Sequence, residues 1–291
     1  MNDRVELLVD ARATVGEGPV WDERIGRLYW VDILAGLVHR TDPATGADET
    51  FPVGRSVGAV ALREDGSLVA AVEDGFGLLH PATGAFELIV SVGADDPSTR
   101  MNDGKVDPAG RFWAGTMAFD AHTGRGELYR LDPDLTVTRM LSGVTISNGL
   151  DWTADGRTMY YIDTPTGSVD RFDFDLKPGA ISGRRPAVVI PPSAGWPDGM
   201  ALDAEGYLWV ALWEGWAVQR YVADGRLDRR IELPAEQVTS VAFGGPDLDE
   251  LFITTGREGF PANGKPNQPQ AGGLFRCRPG VRGRPAHRFR G

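Results

Sequence analysis

The chain has 291 residues, 41 acidic against 30 basic, for a formal charge of −11. That balance argues against nucleic acid or an anionic membrane as partner, since either needs a basic face. Its single cysteine, Cys277, excludes an intramolecular disulfide and any cysteine-cluster metal centre. Hydrophobic residues make up 42%, with eight Trp and twelve Phe, ample for a large core. The opening Met1-Asn2-Asp3-Arg4 has no basic region running into an apolar one, and no window approaches the roughly eighteen apolar residues of a membrane span. The expectation is a soluble cytoplasmic protein.

In chain order, the run Val5-Glu6-Leu7-Leu8-Val9 comes first and reads as a strand without a hairpin partner. Six copies of one phrase follow, at 17–32, 56–72, 102–117, 148–163, 198–212 and 239–255. Each has a polar opening, apolar positions, an acidic turn and an aromatic-rich apolar return. Their turn glycines Gly26, Gly66, Gly110, Gly156 and Gly206 recur roughly every 40–50 residues, the period of a four-stranded propeller blade. The third copy shows the pattern: a strand from Asn102 to Val106, the turn Asp107-Pro108-Ala109-Gly110, and a return from Arg111 to Thr116.

Third strands are predicted at 36–40, 76–80, 126–131, 168–174, 217–222 and 273–277. Fourth strands are predicted at 50–53, 86–92, 136–141, 187–190 and 229–233. With 38 glycines, 20 prolines and no helical periodicity, the chain reads as all-β. The expected architecture is one domain, residues 1–291, forming a six-bladed β-propeller of four antiparallel strands per blade. The sixth unit lacks a clear fourth strand. The N-terminal strand is expected to close the ring there, with the tail 287–289 as its competitor.

The openings carry the chemistry. Asn102, Asn148 and Asp198 lie eight residues before their turn glycines, and Glu17 lies nine before its own. A ring of blades brings equivalent positions to one end of the central channel. Taken singly, Asn-Gly and Asp-Gly pairs are more often turns than ligands, and Ser56 and Thr239 show that the fold requires neither acid nor amide here. Four oxygen-bearing side chains in one register point instead to a shared site. Two carboxylates with amide oxygens suit a hard cation. The four histidines fall outside this register, which disfavours a histidine-rich zinc centre.

Loops joining second to third strands are expected on the same side. They carry Phe119-Asp120-Ala121-His122, Asp163-Thr164, Trp213-Glu214-Gly215-Trp216 and the segment 256–271. Trp213 and Trp216 are candidates for stacking on a sugar. Asp65, Asp155 and Asp203 read as turn formers, and Trp30, Trp113 and Trp209 as packing between blades.

Gly16-Glu17-Gly18-Pro19, Arg100-Met101-Asn102-Asp103-Gly104-Lys105-Val106-Asp107, Ser147-Asn148-Gly149-Leu150-Asp151-Trp152 and Pro197-Asp198-Gly199-Met200 resemble the regucalcin (senescence marker protein 30)/gluconolactonase family. Phe243-Gly244-Gly245 and Gln270-Ala271-Gly272-Gly273-Leu274-Phe275 extend the likeness over nearly the whole chain. The resemblance implies a six-bladed propeller that hydrolyses sugar lactones to aldonic acids with one divalent cation. It implies metal ligands at Glu17, Asn148 and Asp198 and substrate contacts at Arg100 and Asn102. Asp120, a shorter carboxylate in a shorter loop, aligns with a second-to-third-strand loop glutamate of that family, which makes it the third expected substrate contact.

Asp198 is the candidate proton acceptor, and Asp103 the lesser one. Calcium, zinc, manganese, magnesium and iron(II) all accept such oxygen ligands. The alternatives are a promiscuous phosphotriester or fluorophosphate hydrolase and a non-catalytic calcium-binding propeller. The expected partner is a small sugar lactone, and the expected assembly a monomer or weak homo-oligomer.

Overall fold

The computed structural model describes residues 2–94, 96–259 and 267–291. Six four-stranded antiparallel sheets form a ring, the six-bladed β-propeller expected from the repeat. The innermost strands are Gly16–Asp22, Val57–Leu62, Thr99–Val106, Ser147–Trp152, Trp196–Leu202 and Val238–Gly244. Residues of Val57–Leu62 are buried without exception, whereas the outer strands Asp48–Pro52 and Leu227–Glu232 are largely exposed. Each blade therefore runs from apolar at the axis to polar at the rim.

Alternating side chains on adjacent blades meet in six apolar clusters, one at each junction. Trp30, Trp113 and Trp209 are fully buried in three of them, as their equivalent positions predict. Trp113 and Trp209 donate their indole N–H to Asp107 and Asp203 at 2.9 and 3.0 Å. Those aspartates also accept backbone N–H groups of their own turns, so one carboxylate fixes both the turn and the core tryptophan. Asp65 and Asp155 form turns in the same way. Cys277 is buried.

Ring closure follows the N-terminal option. Asn2–Val9 pairs antiparallel with Leu274–Arg278 and becomes the outermost strand of the sixth blade. The tail does something else. It crosses the face opposite the polar openings and bonds to every blade in turn. Gly283 N donates to Leu248 O and Ala204 N to Arg282 O, both at 2.8 Å. Arg284 reaches Trp152 O at 2.8 Å, and Arg288 reaches Asp22 at 2.6 Å. Phe289 N donates to Leu62 O at 2.8 Å and Arg290 N to Gly110 O at 3.1 Å. Phe289 is buried between the second and third blades. Another difference is the fourth strand of the fourth blade, Ala180–Val189, which is much longer than the stretch 187–190 predicted. Its residues 180–186 are mostly polar and exposed, so no apolar alternation marks them. No helix among the described residues is long and apolar enough to cross a membrane.

Candidate functional site

The Asn-Gly and Asp-Gly pairs are not hairpin turns. They are bulges inside the innermost strands. Asn102 and Asp103 together oppose Gly115, Asn148 and Gly149 oppose Ile162, and Asp198 and Gly199 oppose Ala211. In the first blade the bulge is Gly18-Pro19 against Trp30, one residue after Glu17, which accounts for the offset of nine. A bulge re-aims the side chains beside it.

Glycine follows Asn148 and Asp198 because the neighbouring strand is too close for a side chain. A Cβ on Gly149 would stand 2.7 Å from Asp198 O, and one on Gly199 would stand 2.1 Å from Ser240 Oγ. The inner strands of adjacent blades therefore run close together at the site.

Glu17, Arg100, Asn102, Asn148, Asp198 and Asp120 all line one cavity of about 630 Å³ at this end of the channel. The first five are buried. Arg100 Nη1 donates to Asn102 Oδ1 at 2.7 Å, and Asn102 Nδ2 donates to Ser147 O at 2.8 Å and Asn148 Oδ1 at 3.3 Å. Asn148 Nδ2 donates to Thr164 Oγ1 at 2.9 Å, whose own hydroxyl donates to Pro197 O at 2.8 Å. This chain of donors fixes which atom of each amide faces which neighbour. Glu17 accepts from Gly18 N at 2.6 Å.

Burial pushes the Glu17 carboxyl well above its ordinary range, and the charges of Asp198 and Asp103 add to it. Burial and then Asp103 do the same to Asp198. Asp103 itself is raised to about 6 by burial. It faces the other end of the channel, where it lines a smaller space with Lys105, Asp151 and the tail. Arg100 is lowered to about 10 by burial, against the opposing pull of Glu258, Glu17 and Asp198. Its Nε is buried without a protein partner. Glu17, Asn148 and Asp198 bring two carboxylates and an amide to one end of the channel. Among the described residues, no cluster of three or more His, Cys, Asp or Glu side chains is disposed to hold a metal ion.

The second-to-third-strand loops do border this cavity, through Leu34, Phe119, Asp120, Thr164, Trp213, Glu214 and Glu258. His122 and Trp216 do not line it. Residues 260–266 of the segment 256–271 lie outside the described residues. The sequence reading missed Thr164 as the partner of Asn148, and it missed two clamps. Asp32 accepts Thr14 N at 2.9 Å and Val15 N at 3.2 Å, just ahead of Glu17. Asp163 accepts Thr145 N at 3.1 Å and Ile146 N at 3.0 Å, just ahead of Asn148. Their shared place at the end of a second strand was the available signal.

A family model describing the SMP-30/gluconolactonase/LRE-like region matches residues 15–257. The chain belongs to this family. Among its members, the pentonolactonase of Haloferax volcanii is 44% identical over 98% of this chain and 97% of its own. Regucalcin of Xenopus laevis is 40% identical over 94% of this chain and 93% of its own. The crystal structure of the calcium-binding protein regucalcin from Agrobacterium tumefaciens superposes with a TM-score of 0.92 at 33% identity, covering 98% of this chain and 96% of that one. The SMP-30/gluconolactonase likeness thus extends over the whole ring and includes all the blades that line the cavity.

Proposed function

We propose that this protein hydrolyses sugar lactones to aldonic acids, with Glu17, Asn148 and Asp198 holding a divalent cation and Arg100, Asn102 and Asp120 binding the substrate. The observation that carries this reading is the burial of Glu17 and Asp198 together at the axial end of one cavity. Two buried carboxylates cost several kcal/mol each unless compensated. A hard dication matches their charge, and the Asn148 amide completes an oxygen donor set. The donors fit such an ion. The names of the relatives, pentonolactonase and calcium-binding regucalcin, support both halves of the proposal.

A divalent cation bound there supplies a Lewis acid to the lactone carbonyl. The chain's own residues do the rest. Arg100 lines the cavity and donates to the sugar through its guanidinium, and the Asn102 side-chain oxygen beside it accepts from a sugar hydroxyl. Asp120 accepts from its hydroxyls. Asp198 accepts a proton from the attacking water as its oxygen adds to the carbonyl carbon. The ring C–O bond then breaks, and the proton held by Asp198 passes to the ring oxygen, which leaves as a hydroxyl of the open acid. Val15, Met117 and Ile146 line the cavity beside these groups and restrict bulk water.

A pH-indicator assay on D-glucono-, D-galactono- and D-xylono-lactones tests this, with enzyme stripped by chelator and then given each metal singly. Stripping is expected to cut turnover at least about 100-fold, the scale of losing a charge-stabilising group. Glu17→Gln and Asp198→Asn should lose cation binding by calorimetry. Full turnover in chelator would defeat the metal assignment, and a phosphotriester hydrolysed faster than every lactone would defeat the substrate class.

A further inference from the structure

The cavity has two unlike parts. Its floor is the polar axial site, and its mouth is aromatic and acidic. Of the eight large apolar side chains left exposed among the described residues, three stand at this one opening: Leu34, Phe119 and Trp196. They come from the loops or strand ends of the first, third and fifth blades. Trp196 is the cross-strand partner of Trp213, which also lines the opening. Single exposed apolar residues are ordinary, but a group around one cavity marks a ligand surface. Phe119 lies 5.9 Å from the Arg100 guanidinium, so rim and floor are continuous.

Asp120, Glu214 and Glu258 share the opening with these rings. Aromatic faces beside carboxylates match a pyranose, whose C–H face stacks while its hydroxyls donate. An alkyl substituent would leave the acids without donors, and an anionic one would be repelled. Size points the same way. The cavity of about 630 Å³ leaves room beyond a single hexonolactone ring bound at its floor.

We propose that the mouth is a second sugar subsite and that the preferred substrate is the lactone of a disaccharide, an aldobionolactone. This rests on lactone hydrolysis at the floor. Water adds to the lactone carbonyl, the ring ester bond breaks and the glycosidic bond is left intact, giving an aldobionic acid. The reaction supplying this substrate must be oxidation at C1 of a free, unphosphorylated reducing disaccharide.

The test compares kcat/KM for cellobiono- and maltobiono-lactone with that for D-gluconolactone on metal-loaded enzyme. The expectation is a preference for at least one disaccharide lactone of about tenfold or more, carried mainly by KM. Trp196→Ala and Phe119→Ala should each lower the disaccharide value several-fold more than the gluconolactone value, with Trp196→Phe restoring most of the preference. Val189→Ala, exposed on an outer strand, is the control that moves neither. If gluconolactone is opened without preference, or Trp196→Ala lowers both values in parallel, the subsite is overturned and the lactonase reading stands. If neither kind of lactone is opened, the lactonase reading falls and the subsite falls with it.

Discussion

Asp163 makes none of the proposed ligand contacts, yet it ties down the two residues that lead into Ser147 and Asn148. Asp32 does the same for the residues before Glu17. Each carboxylate satisfies two backbone N–H groups that would otherwise be left in a largely buried loop. Replacing Asp163 by Ala leaves them unpaired at about 1–3 kcal/mol per group. The loop would relax, and Asn148 with it. Asp163→Ala is therefore expected to lower both the melting temperature and cation affinity, the latter by about tenfold or more, as with other residues that orient a ligand. Asp163→Asn keeps one acceptor and should fall between. Thermal unfolding and metal titration by calorimetry check this. Unchanged cation affinity in Asp163→Ala would remove the positioning role.

At the scale of elements, the innermost strand is the working part of each blade. Its outer end joins a tight aspartate-glycine turn, and its inner end is interrupted by the bulge that carries Asn102, Asn148 or Asp198. The bulge works only if neighbouring inner strands come very close, and Gly149 permits this. Gly149→Ala would press a methyl group against Asp198 O and Met200 N, at 2.7 and 2.8 Å before relaxation. Both contacts are backbone and cannot rotate away. Overpacking of this kind costs about 1–3 kcal/mol. The strain falls on the segment between two proposed ligands, so kcat/KM should drop at least about tenfold while melting falls by only a few degrees. A variant with wild-type kcat/KM would show that the spacing of the inner strands is not critical.

The whole molecule is a ring held at three levels: between strands, between blades, and across its far face by the tail. Asp151 is the point where these meet. Its carboxylate accepts Lys105 Nζ from the third blade at 3.3 Å, Leu202 N from the fifth at 2.9 Å, and Arg284 from the tail at 3.4 Å. Burial works against its charge, but Lys105, Arg284 and the backbone donors overcome this and hold its pKa below the ordinary value. A lowered carboxyl pKa contributes stability that is complete above the unfolded value of about 3.9 and is lost as pH falls through the folded value. Asp151→Asn should thus be less stable than wild type at pH 7, and the gap should close as pH drops below about 4. Parallel melting curves over pH 2–7 measure it. A gap that stayed constant would show that the charge of Asp151 contributes nothing to linking the blades.

The repeat period, the turn glycines and the apolar alternation determined the six blades, because strands and turns depend on local sequence. The register of the openings was enough to name Glu17, Asn102, Asn148 and Asp198, because a closed ring forces equivalent positions to one end of the axis. Three things were decided only by the assembled ring. The bulges were hidden because a strand interrupted by Asn-Gly is indistinguishable, in sequence, from a hairpin turn. The clamps of Asp32 and Asp163 span 17–18 residues and show only when the loop folds back on its strand. The mouth of Leu34, Phe119, Trp196 and Trp213 draws on three blades distant in the chain, and its joining of aromatic faces to acids exists only where those blades meet.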